Sequence, residues 1–281
     1  MKKSDNQLNK KLNKIFSNIK SVKIQGATNI AKAAIQAYSL SPNKQTLLKL
    51  ESLRPTEPML QNVLSMLSQG KRKQQILYHF SQSQEKINKQ VFKLINNHDA
   101  IFTHCHSTAV VKSLIYSKQH AKHFEVYNTE TRPLYQGRKT AVELSKAGIK
   151  VKTFADSAIN IALTDSQHQK DVKKVNKVFL GADAILKNGD VINKVGSGLI
   201  TELAKDNKIP VYIIGDSWKF SKKSITLEQR SYKEVWDNPH ISSNIKIKNP
   251  AFEKIPAKNI TKIVSELGVL TPKEFLRKIK K

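Results

Sequence analysis

The stretch AIFTHCHSTAVVKSLIYSKQHAKHFEVYN, residues 100–128, decides the fold. Two short apolar runs, AIFTH (100–104) and FEVYN (124–128), flank a segment long enough for a crossover helix. Runs of this length read as buried strands, and a strand–helix–strand unit joins parallel neighbours. The rhythm continues in VKTF (151–154), VFLG (178–181) and VYIIG (211–215). Five strands with helix-sized connections imply an α/β fold, a mostly parallel sheet with helices on both faces.

Upstream of this region the period changes. Leu8, Leu12, Ile15, Phe16 and Ile19 recur at three-to-four spacing, as do Ile30, Ala33, Ala34, Ala37 and Tyr38, with Gly26 between the two sets. That spacing is the buried face of a helix. A third helix is expected after Pro58, which suits a first helical turn, with Leu60, Val63, Leu64 and Leu67 facing inward. A fourth covers about Gln75 to Ile95. The organisation expected is a helical N-terminal subdomain over residues 1–97 and an α/β domain over 98–281. The tail, NPAFEKIPAKNITKIVSELGVLTPKEFLRKIKK from residue 249, reads as a loop, a helix and a second short helix capped by Thr271 with Pro272 in its first turn.

At 281 residues and 39% hydrophobic content the chain can bury a proper core. Its N-terminus, MKKSDNQLNKKLNKIF, has no apolar signal region, and no later run approaches a membrane span. A cytoplasmic protein without a membrane partner is expected. Cys105 is the only cysteine, so one chain forms no internal disulfide and no Cys-based zinc cluster. The 49 Lys and Arg against 22 Asp and Glu give a net charge of +27. These charges are dispersed as pairs such as Lys10-Lys11 and Lys222-Lys223, without interleaved aromatics or a nucleic-acid motif. A Lys-rich solvated surface is the simpler reading.

Ligands of open parallel sheets bind outside the carboxyl ends of the strands. The segments there are THCHST, NTETRPLYQGR, ADSA, GADAI followed by NGDVINKVGSG, and GDSWKF. Cys105, just after the first strand, reads either as an inert buried thiol or as a proton carrier. Asp183 reads either as the cap of a helix over AILKNG or as a second proton carrier. Facing one another, a thiol and a carboxyl suit proton movement between adjacent sugar carbons. Arg132, Arg138, Lys194 and Lys219 point to an anionic ligand. Gly196, Ser197 and Gly198, ahead of the LITELAK helix, offer a second phosphate-sized feature. His104 and His106 flank Cys105 but form an incomplete ligand set, so no metal is expected. The Walker signature and a convincing dinucleotide fingerprint are both missing, which argues against nucleotide hydrolysis and hydride transfer and leaves no cofactor to expect.

Taken in order, KSVKIQGATNIAKAA, THCHS, NTETRPLYQGRKTA, DSA, GADAILKNGDVINKVG and DSWKF resemble the family of archaeal ribose-1,5-bisphosphate isomerase, methylthioribose-1-phosphate isomerase and the alpha, beta and delta subunits of translation initiation factor 2B. The resemblance runs from about residue 19 to 249. It implies a Rossmann-like α/β domain and, because the isomerases carry the Cys and Asp that the regulatory subunits lack, a catalytic pair Cys105 and Asp183. It further implies that phosphate and sugar are held by Gln25, Gly26, Ala27 and Thr28, by Arg54, by Ser107, Thr108 and Ala109, by Asn193 and Lys194, and by Lys219. The implied reaction is aldose-to-ketose isomerisation of a sugar 1-phosphate, foremost ribose 1,5-bisphosphate to ribulose 1,5-bisphosphate in nucleotide breakdown. A non-catalytic regulator that engages initiation factor 2 is the alternative, and a methylthioribose-phosphate isomerase the third reading. The same resemblance implies a homo-oligomer, dimer or hexamer, with AMP as a possible effector. Two positions depart from the pattern. Gln25 stands where the isomerases have Arg, a lost charge-assisted bond of about 1.5–3 kcal/mol, and His106 stands where the ribose-bisphosphate enzymes often have Asn.

Overall fold

The computed structural model describes residues 2–280 apart from 22, 25, 56, 166 and 239–241, with side chains from residue 6 onward. Five helices come first: α1 (Lys2–Lys20), α2 (Ala27–Leu40), α3 (Lys44–Leu53), α4 (Pro58–Ser68) and α5 (Lys73–Leu94). The inward face of α2 is Ile30, Ala33, Ala34 and Ala37, and its small side chains let α4 approach with Leu60, Val63, Leu64 and Leu67. Each fully buried Leu or Ile here contributes about 1.5–3 kcal/mol of burial. Helix α5 enters two cores. Ile76 and Phe80 pack with the other helices, while Ile87 and Val91 lie against the sheet.

The alternating region follows as β1 (Ala100–Thr103), α6 (Thr108–Gln119), β2 (Glu125–Thr129), α7 (Gln136–Lys146), β3 (Lys150–Phe154), α8 (Ile159–Thr164), β4 (Lys177–Leu180), β5 (Ala184–Leu186), β6 (Val191–Lys194), α9 (Ser197–Asp206) and β7 (Val211–Ile214). It ends with β8 (Phe220–Ser221), β9 (Phe252–Ile255), β10 (Lys262–Ser265), β11 (Gly268–Leu270) and α10 (Pro272–Ile279). The large sheet has the order β11-β10-β7-β4-β1-β2-β3 and is parallel except for the β10–β11 hairpin. Successive strand residues point to opposite faces. Phe102, Leu180, Ile213 and Ile263 therefore join one core, and Ile101, Val126, Phe179 and Ile214 the other. Among the described residues, no helix is long and apolar enough to cross a membrane.

All five expected strands are present, and Thr271 caps α10 with Pro272 in its first turn, as its spacing predicts. Two local expectations are corrected, and one helix is added. The tail segment read as a helix is the β10–β11 hairpin, in which β10 pairs in parallel with β7. AILKNG is not a helix. It holds β5 and the turn into β6, so Asp183 caps nothing and its backbone N–H donates instead to the Ile192 carbonyl. Helix α3 was not anticipated, because it buries only Thr46 and Leu50; Asn43 starts it by accepting from the Thr46 N–H at 2.9 Å. Strands β8, β5, β6 and β9 form a second sheet that carries Asn193 and Lys194 to the edge of a crevice at the carboxyl ends of the large sheet's strands.

Candidate active site

From β1 the chain proceeds to β2 and β3 on one side of the sheet, then crosses back to β4 and β7 on the other. Outside the carboxyl ends of β1 and β4 the following loops diverge, which leaves a crevice at this switch point. Cys105 follows β1 and Asp183 follows β4. Both line a cavity of about 460 Å³. Gly26, Ala27, Thr28, Arg54, Ser107, Thr108, Ala109, Asn193, Lys194 and Lys219 line it too. Of the expected binding residues, Gln25 alone lies outside the described residues.

Local geometry explains the convergence. Ser107 caps α6, its hydroxyl accepting from the Val110 N–H at 3.4 Å. A Cβ on Gly181 would lie 2.7 Å from the Ser107 side chain, so the GAD turn fits beside α6 only as glycine. Gly181→Ala is therefore expected to cost about 1–3 kcal/mol of stability, read as a lower thermal midpoint; an unchanged midpoint would show that this packing is loose. Gly26 has φ +84°, and a Cβ there would lie 3.8 Å from Thr108 Oγ1. The N-termini of α2 and α6 thus approach one another, and the positive ends of the two helix dipoles favour anions.

Cys105 has φ +63°, a left-handed conformation uncommon for a residue with a side chain. Its N–H donates to Thr131 Oγ1 at 3.0 Å, and its carbonyl accepts from Thr140 Oγ1 at 2.8 Å. The Thr hydroxyls hold the turn that presents the thiol. Burial pushes the thiol up to about 12; the neighbouring Asp183 adds to this, and Lys194 opposes it. His104 is buried, and its Nε2 donates to the Val195 carbonyl at 2.8 Å. Its Nδ1 then accepts from the Thr129 hydroxyl at 2.5 Å, and burial lowers its pKa, so the ring is neutral.

Burial also raises the Asp183 pKa, against the charges of Lys219, Arg54 and Lys194. The Lys219 amine donates to the Ala182 carbonyl beside it. Lys194 is only 4% exposed, and burial pulls its pKa down. A buried ammonium facing a cavity favours an anionic ligand.

Several lining residues went unread in the sequence: Glu57, Gln136, Glu228 and Arg230. Arg54 Nη2 donates to Glu57 Oε1 at 3.1 Å and lies 3.5 Å from Glu228 Oε2. Arg54 Nε, Glu57 Oε2 and Gln136 Oε1 are buried without a hydrogen-bond partner among the described residues. Such atoms are rare in native interiors, and three on one cavity argue that a polar ligand completes them. Burial, with the Asp183 charge next, lifts Glu57 to about 8.

Two expected anion contacts are corrected. Arg132 is bonded to the Tyr135 hydroxyl and, at 2.9 Å, to the Val235 carbonyl. Arg138 pairs with Glu130 at 2.6 Å and lies over the Tyr135 ring. Both stand outside the cavity lining because nearer surface partners hold them. The Gly196–Gly198 turn is also spoken for, since the Gly198 N–H donates to Glu253 at 2.8 Å and a carboxylate already occupies that helix start. Among the described residues, His79, Asp216 and Glu266 bring potential metal-ligand atoms within 4.8 Å of one another. Those atoms are already committed: His79 Nε2 to Asp216, and Glu266 to Ser217 and Ser83.

The comparisons with known proteins fit this arrangement. The chain is 31% identical over 287 residues to the ribose 1,5-bisphosphate isomerase of Methanocaldococcus jannaschii, covering 92% of this chain and 90% of that one. It is 34% identical over 197 residues to a methylthioribose-1-phosphate isomerase of Natranaerobius thermophilus, covering 64% and 55%. The crystal structure of a Pyrococcus horikoshii translation initiation factor eIF-2B superposes with a TM-score of 0.80 at 25% identity, covering 93% of this chain and 97% of that one. The initiation factor 2 subunit family model matches residues 3–272, and with the switch-point cavity in the same fold the chain belongs to that family.

Proposed function

We propose that this protein is a cofactor-independent aldose–ketose isomerase of a sugar 1-phosphate, with ribose 1,5-bisphosphate as its substrate and ribulose 1,5-bisphosphate as its product. The observation that carries the reading is the pairing of Cys105 with Asp183 across a cavity whose buried ammonium, Lys194, calls for an anion. Full-length similarity to proteins named ribose 1,5-bisphosphate isomerase supports the substrate.

The reaction redistributes hydrogen. The ring oxygen gains a proton as its bond to carbon 1 breaks, carbon 2 loses its hydrogen and its hydroxyl proton, and carbon 1 gains a hydrogen. Asp183, its pKa raised, serves as the acid at the ring oxygen and, left as a carboxylate, takes the carbon 2 hydroxyl proton as the carbonyl forms, while Cys105 takes the proton from carbon 2 and returns it to carbon 1. The pair is set for this when the thiol proton passes to the Asp183 carboxylate. That transfer leaves a thiolate, steadied by Lys194, facing carbon and a carboxylic acid facing oxygen. The phosphate lies against Lys194 and the starts of α2 and α6.

A non-catalytic regulatory role has no use for a strained thiol and a buried acid in one cavity. Incubating purified protein with ribose 1,5-bisphosphate and with methylthioribose 1-phosphate, side by side, tests the reading. Conversion of the bisphosphate is expected. No conversion, while a relative named as that isomerase converts it in parallel, overturns the substrate.

A further inference from the structure

Glu57 lies between two prolines, Pro55 and Pro58, in the short link between α3 and α4. It is 2% exposed and lines the cavity. One oxygen, Oε1, accepts from Arg54 Nη2; the other, Oε2, is buried with no partner. An ionised carboxylate so placed would leave a charged oxygen bare, at a high desolvation cost. A protonated carboxyl satisfies the same geometry: Oε1 acts as the carbonyl oxygen toward Arg54, and Oε2 carries a proton with nothing among the described residues to receive it.

We propose that Glu57 is a further ligand-contacting acid of this site, its Oε2–H donating a hydrogen bond to an oxygen of the bound sugar phosphate, so that ligand and proton bind together. This rests on the sugar-phosphate reading for the ligand but not on turnover. The charged groups around Glu57 come from four places: Arg54 at the end of α3, Asp183 after β4, Lys219 before β8, and Glu228 in the loop that follows β8. Asp183 and Glu228 favour the protonated form, and Arg54 and Lys219 oppose it. Burial tips the balance, lifting Glu57 to about 8. An anionic oxygen arriving at Oε2 favours the proton further, since an ionised carboxylate there would repel it.

Binding should therefore take up protons where free Glu57 is mostly ionised. Calorimetric titration of ribulose 1,5-bisphosphate at pH 8.5, in two buffers of different ionisation enthalpy, measures this; phosphate groups no longer titrate there. The intact protein is expected to take up a readily measured fraction of a proton, because its raised carboxyl is partly ionised at that pH. Glu57→Gln is expected to take up clearly less, retaining only the share linked to Lys194 and Asp183, while Glu57→Ala binds at least about 10-fold more weakly than Glu57→Gln, whose amide N–H still donates. Equal uptake by the parent and Glu57→Gln overturns the proposal, as does binding without uptake by the parent. Proton-linked binding without isomerisation overturns only the proposed reaction. Turnover without uptake overturns only the role of Glu57, and failure of the bisphosphate to bind overturns both.

Discussion

Replacing Cys105 by Ser is expected to lower kcat for ribose 1,5-bisphosphate by at least about 1,000-fold while KM stays within about threefold. The hydroxyl fills nearly the same space on the same turn, held by Thr131 and Thr140, so ligand contacts survive. What is lost is acidity: even the thiol raised to about 12 ionises far more readily than an alcohol. Lys194 can steady a thiolate but cannot bring a serine into range. Steady-state kinetics with a thermal melt to confirm folding reads this directly, and undiminished turnover would remove Cys105 from the mechanism.

Asp183→Asn is expected to separate activity from stability. Loss of the proposed acid at oxygen should cost about 100- to 10,000-fold in kcat and abolish the bell-shaped pH–rate profile expected of a Cys105–Asp183 pair. Stability should move the other way. The Asp183 pKa is raised in the folded protein, so the folded state keeps a proton that the unfolded state has released. Stability therefore falls as pH rises from the unfolded carboxyl value toward the folded one. Asn carries no such penalty. The variant should match the parent near pH 4 and exceed it at pH 8 in a denaturant or thermal titration; a variant less stable at pH 8 would show that Asp183 is held as a favourable ion.

The sheet was legible because its strands are buried on both faces and appear as uninterrupted apolar runs, such as VFLG and VYIIG. The tail was misread because Ile260, Ile263 and Val264 have helical spacing, whereas pairing with β7, a contact across 50 positions of sequence, decides the outcome. The helix reading of AILKNG passed over Asn188-Gly189, a strong hairpin signal; Gly189 has φ +88° in the turn between β5 and β6. The polar strand ends led to the cavity for the same topological reason that places ligands at switch points. Arg132 and Arg138 failed because sequence shows charge but not which neighbour claims it first. Glu57 was invisible: nothing in RPTEP distinguishes an exposed loop carboxylate from one sealed beside Arg54.

Residues 105 and 131 both hold left-handed backbone with side chains attached, at φ +63°. Each costs on the order of 1–2 kcal/mol relative to a glycine in the same conformation. A laboratory evolution campaign that rewarded heat resistance alone would thus be drawn toward glycine at position 105, whereas Thr131 is kept by its buried hydroxyl, which accepts from the residue 105 N–H. It would deliver a sturdier molecule with its thiol erased, so activity must be screened in every round.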